Sequence, residues 1–131
     1  MLPPPSHSIA VSGSFSIAEL EGEPAFDALR GHWDALWQES TDATHYQLWD
    51  WQYLYWKHVT PKAVPRFLIL QDGVGRVRAI AVLARTRDPG TGLMSTGYIG
   101  GMRSDYNMFL AGQDVPESAG MDLLRTVIRR Q

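Results

Sequence analysis

An α+β fold, with helices packed on a mostly antiparallel sheet, is what this sequence predicts, and three observations carry the prediction. Strand-like alternation opens the ordered part of the chain. Two consecutive helical segments with apolar stripes follow. A run of strands joined by glycine-rich turns then leads to a last helix. Two helices in a row between a first strand and a strand meander give an antiparallel sheet with helices layered on it, rather than a strictly alternating parallel one. The chain has 131 residues, of which 44% are hydrophobic and 20% charged. That length suits one domain, and the composition is that of a globular protein.

The elements follow in order. Residues 1–12 carry three prolines and little to pack, and read as a disordered tail ahead of a domain over 13–131. Ser14 to Leu20 sets Phe15 and Ile17 against Ser14, Ser16 and Ala18, a first strand. Pro24 fits the first turn of a helix, where its missing N–H costs nothing. Phe26, Leu29, Trp33, Leu36 and Trp37 then make one apolar stripe to about Glu39. After the polar break Ser40 to Thr44, a second helix is predicted over Tyr46 to His58. It has two stripes, Leu48, Trp51, Tyr55 and Val59 on one side and Tyr46, Trp49, Tyr53 and Trp56 on the other. Thr60-Pro61 ends it, because the residue before proline avoids the helical region.

Arg66 to Gln71 is a continuous apolar strand, and Asp72-Gly73-Val74-Gly75 supplies turn chemistry. Arg76 to Arg87 alternates and completes a hairpin. Asp88 to Gly92 is a loop, Leu93 to Ile99 a third strand, and Tyr106 to Ala111 a short fourth. Pro116 starts a final helix with Met121, Leu124 and Ile128 on one face.

Composition also excludes some functions. With no cysteine there is no disulfide, thiolate metal site or cysteine nucleophile. The net charge of −2 argues against a globally basic nucleic-acid binder. No apolar run approaches a membrane span, and residues 1–7 lack the regions of a signal peptide, so a cytoplasmic location is expected. His7, His32, His45 and His58 are scattered without carboxylates at ligand spacing, and no metal site is expected. Acidic residues outnumber basic ones through Pro65. From Arg66 arginines dominate (Arg66, Arg76, Arg78, Arg85, Arg87), which reads either as an acid- or phosphate-facing surface or as solvated strand faces.

Three local patterns offer chemistry. Asp105-Tyr106-Asn107, at a strand end, places a carboxylate and a phenol where they can bind an amine or hydroxyl or relay a proton; Asp105 and Tyr106 are the catalytic candidates and Asn107 a substrate-binding one. A turn held by side-chain-to-backbone bonds accounts for the same residues. Among the aromatics, helical spacing argues for core. Trp49 and Trp56, on the second stripe, are the pair assigned to a groove, where they would bind substrate. Gln47 is read either as a helix cap or as a ligand contact. Arg87-Asp88-Pro89-Gly90-Thr91-Gly92 fits the letters of a phosphate loop, with Arg87, Gly90 and Gly92 as cofactor candidates. Its neighbour Leu93 to Gly101 is strand-like, so a Pro-Gly turn explains it better.

The element order resembles the first half of the GNAT acyltransferase fold, and particular residues resemble its FemAB-like branch, including acetyltransferases associated with cellulose or exopolysaccharide biosynthesis. They are Tyr46-Gln47 with Trp51 and Tyr55-Trp56, the strand Arg78-Ala79-Ile80-Ala81-Val82-Leu83, and Gly100-Gly101 leading to Asp105-Tyr106-Asn107. Val82 stands where the family usually has proline, and Met108 where it usually has a second aspartate. The resemblance spans roughly Leu29 to Arg130 and implies transfer of an acyl group from acetyl-CoA or another acyl-CoA to an amine or hydroxyl of a small molecule or polysaccharide precursor. It covers the N-terminal half of such a protein, so this chain alone is expected to be weak or inactive and to work with a missing C-terminal half or as a homodimer paired through a sheet edge. The competing expectation is a non-enzymatic module that binds a carbohydrate or peptide in an aromatic groove.

Overall fold

In a computed structural model, which describes residues 2, 7–10, 15–40, 43, 45–87, 90–98 and 110–130, six strands form one antiparallel sheet with helices on both faces. The elements are β1 (His7–Ala10), β2 (Ser16–Glu21), α1 (Glu23–Glu39), a 3-10 turn (His45–Gln47), α2 (Trp49–His58), β3 (Val64–Gln71), β4 (Val77–Arg87), β5 (Met94–Tyr98), β6 (Leu110–Ala111) and α3 (Glu117–Arg130). The sheet order is β1-β2-β3-β4-β5, and β6 also pairs with β4. The α+β class, the two consecutive helices and the C-terminal helix are as the sequence predicts. Within the segment read as a tail, the structure places a strand, β1, paired with β2 through His7↔Glu19 to Ala10↔Ser16.

β3 explains the two-sided packing. Phe67 and Ile69 point into a core shared with α1 and α2, whereas Leu68 and Leu70 point into a second core shared with α3. A strand covered on both faces needs continuous apolar residues, and Phe67 to Leu70 supplies them. The hairpin to β4 is closed by Asp72, whose Oδ1 accepts from the backbone N–H of Val74 (3.1 Å) and of Arg76 (2.9 Å). Gly75 takes a φ of 87° in this turn, a conformation that glycine adopts without a Cβ penalty.

α1 begins with Pro24 in its first turn and buries Phe26, Leu29, Trp33 and Leu36 along the expected stripe. The second helix differs from the expectation in two respects. It is broken at Leu48, whose backbone is extended (φ −65°, ψ 143°), so Tyr46 and Gln47 belong to a separate 3-10 turn. Its buried side is the stripe of Trp49, Tyr53 and Trp56 with Gln52, while Val59 is exposed.

The final helix is also rotated from its predicted face. Ala119, Leu123 and Val127 are buried, whereas Met121 and Ile128 are exposed. The helix has two candidate stripes, and the small side chains decide between them. Ala119 lies in one core cluster with Ala79 and Ala81 of β4, so the helix sits close against the sheet with little bulk between them.

Candidate functional site

The expected aromatic groove is filled by the protein itself. Phe26 lies at its centre, with ring centroids 4.7 Å from Phe67, 5.4 Å from Tyr53 and 5.5 Å from Trp56. Trp49 and Trp56, assigned to substrate on sequence grounds, are core residues, and that assignment is corrected. Each indole N–H donates to a backbone carbonyl, Trp49 to Phe26 (2.9 Å) and Trp56 to Ala63 (2.7 Å). The Arg30 guanidinium lies 4.4 Å from the centroid of the Trp49 ring and covers what remains of it. A tryptophan with its N–H satisfied and its faces covered has no surface left for a ligand. Trp51 and Tyr55, on the opposite stripe, stack at 5.1 Å and are half-buried.

Gln47 sits in the 3-10 turn, where its carbonyl accepts from the Trp33 indole at 2.7 Å. Its backbone therefore ties the turn to α1. Arg87, Gly90 and Gly92 belong to the connection between β4 and β5, which pair from Leu83↔Tyr98 to Arg87↔Met94. Gly92 has a φ of 74° and Arg87 donates to its carbonyl at 2.8 Å. A strand, β5, follows rather than a helix, so this segment opens no helix of the kind a phosphate loop needs, and the turn that the sequence favours is the better reading of Arg87, Gly90 and Gly92. Asp105, Tyr106 and Asn107 lie outside the described residues.

What the structure does give is the position of the chain on either side of that triplet. Tyr98 pairs with Leu83 and Leu110 pairs with Ile80, so β5 and β6 lie end to end along the same edge of β4. Between these two anchors Ala81 and Val82 have ladder partners on β3, and none on this edge among the described residues.

Next to the second anchor is an ionic joint that the sequence reading missed. The β3–β4 ladder steps from Leu70↔Ala79 to Gln71↔Val77, and the skipped residue is Arg78. Such a bulge re-aims the side chain of the extra residue. Arg78 is buried at 9% exposure and pairs with Glu39, at the end of α1, and with Asp114, its Nε donating to Asp114 Oδ1 at 2.9 Å. Its carbonyl accepts from Gly112 at 2.8 Å, and Glu39 also accepts from the Gln113 N–H at 3.0 Å. Burial pushes the guanidinium pKa down, but the hydrogen bonds it donates to both carboxylates, with their charges, outweigh that and the net shift is upward. Both acids are held by a permanent cation, so this cluster fixes the chain rather than moving protons. The available signal was a charged residue inside the apolar run Val77 to Leu83.

Other arginines of the second half also face acids of their own chain. Arg66 pairs with Glu19 and Glu21, Arg76 with Asp72 and Arg125 with Asp122. Among the described residues no group of His, Asp and Glu is placed to hold a metal ion, and no helix is long and apolar enough to cross a membrane. Compared with protein-family models, with curated proteins and with solved structures, the chain gives no match in any of the three.

Proposed function

We propose that this chain is part of an acyl-CoA-dependent acyltransferase, acting on an amine or hydroxyl acceptor. The observation that carries the reading is the order of elements from β2 onward around one antiparallel sheet: strand, two helices on one face, strands, then a helix on the other. That order is what the resemblance of Tyr46-Gln47, Arg78 to Leu83 and Asp105-Tyr106-Asn107 to GNAT enzymes of the FemAB-like type implies. The reaction it implies needs positioning and a backbone N–H for the developing oxyanion more than it needs a nucleophile. The β4 edge at Ala81 and Val82, between two anchored strand ends, is main chain of the kind that role requires.

The rival module reading loses its main support, because Trp49 and Trp56 are core. The test is release of free thiol from acetyl-CoA in the presence of amine and hydroxyl acceptors, using this chain and the product of the whole reading frame that encodes it. Asp105→Ala lowers turnover by about a hundredfold, the lower end of what a proton-transfer group contributes. Turnover unchanged by Asp105→Ala removes that residue from the reaction, and absence of any acyl-CoA-dependent reaction in both proteins removes the reading.

A further inference from the structure

A cavity lies where the turn after α2 meets the end of β4. It is an open depression of about 520 Å³, lined by residues 59–63 together with Thr86 and Arg87. That volume is in the range small-molecule sites occupy. Val59, Pro61 and Ala63 give it an apolar wall, and Val59 is half exposed although nothing in its chemistry favours water. The charged residues on the wall, Lys62 and Arg87, are both cationic. Among the described residues Lys62 has no carboxylate partner, and Arg87 is held by the Gly92 carbonyl rather than by an acid. Thr60 completes the wall on the α2 side.

From these features we infer that the cavity binds a small organic monoanion with an aliphatic body, a short-chain carboxylate, with its head between Lys62 and Arg87 and its tail against Val59, Pro61 and Ala63. The charges select an anion over a cation or an alcohol, and the apolar wall selects a carboxylate with a tail over one without. This inference stands apart from acyl transfer, since that reading places the reaction at Ala81 and Val82, and Arg87 lies at the far end of β4 from them.

The fluorescence of the intact chain offers a direct probe. The Trp56 indole donates to the carbonyl of Ala63, a wall residue, so an occupant alters its surroundings. Titration with hexanoate, acetate, hexanol and hexylammonium is expected to give saturable binding of hexanoate, at least about tenfold tighter than acetate. Hexanol and hexylammonium are expected to bind at least about tenfold more weakly than hexanoate. Lys62→Ala and Arg87→Ala are each expected to weaken hexanoate by about three- to tenfold, Lys62→Arg to restore it, and Arg76→Ala, in the distant β3–β4 turn, to leave it unchanged. Both substituted side chains are on the surface, and circular dichroism checks that the variants fold. Hexylammonium or acetate binding as tightly as hexanoate, loss of binding equally in Arg76→Ala, or no saturable hexanoate binding in the folded protein each overturns the inference.

Discussion

The two faces of this sheet are closed by different means. On one, two helices bring aromatic rings around Phe26 and satisfy the indole N–H groups of Trp33, Trp49 and Trp56 with backbone carbonyls. On the other, a single helix packs Ala119, Leu123 and Val127 onto Ala79 and Ala81, and the buried carboxylate of Glu19 on β2 is held by Arg66 on β3. The aromatic face owes its cohesion to ring area and to directional hydrogen bonds that fix each ring. The aliphatic face depends on close approach and on one buried ion pair. Damage to the first should scale with lost packing, and damage to the second should depend on whether a charge is left without its partner.

The largest effect belongs to the aromatic face. Phe26→Ala removes a ring that is 0% exposed and touches Trp33, Trp49, Tyr53, Trp56 and Phe67. Urea denaturation is expected to show a loss of about 4 kcal/mol. On the other face, Glu19→Ala removes the nearer and more buried partner of Arg66, leaving it only Glu21 at 3.7 Å, and is expected to cost about 2 kcal/mol, while Glu19→Leu with Arg66→Met recovers most of it. If the double replacement is as damaging as the single, the ion pair does more than neutralise itself and the contrast between faces is drawn wrongly.

The joint between the faces comes next. A Cβ at Gly112 would meet the Arg78 guanidinium and the Glu39 carboxylate. Gly112→Ala is therefore expected to cost about 1–3 kcal/mol, and to cost little once Arg78 and Glu39 are both replaced by alanine. The smallest effect is at the rim of the aromatic face, where Glu23 accepts from Tyr53 (2.6 Å) and Lys57 (3.0 Å). These hydrogen bonds, Tyr53 first, hold the Glu23 carboxyl below the usual carboxylate range, and the bond to Glu23 raises Lys57. The Glu23 contribution is present above the unfolded carboxylate pKa, about 4.3, and is lost as pH falls through the lower folded value. The Lys57 contribution is present below the unfolded lysine pKa, about 10.4, and is lost as pH rises through the higher folded one. Denaturation midpoints of Glu23→Gln should be flatter than those of the parent chain at both ends of the pH range.

Local rules made much of this legible. The spacing of Phe26, Leu29, Trp33 and Leu36 announces α1, the unbroken Phe67 to Leu70 announces a strand covered on both faces, and Asp72 with Gly75 announces the turn between β3 and β4. The sequence misleads where two local answers compete. In α2 and in α3 two apolar stripes are available, and the choice falls to tertiary partners: Phe26 draws in Trp49 and Trp56, and Ala79 and Ala81 admit Ala119. The partners of Arg78 and Arg66 were not legible, because the pairs join residues 39 and 47 positions apart. The cavity beside Lys62 and Arg87 joins two turns whose proximity only the β3–β4 register sets, through Val64↔Arg85.

The assignment to acyl transfer is tested most directly by titrating acetyl-CoA, by calorimetry, into this chain and into the product of its whole reading frame. The account predicts saturable binding in at least one of them, retained in Asp105→Ala even as turnover falls. The absence of binding in both would contradict it.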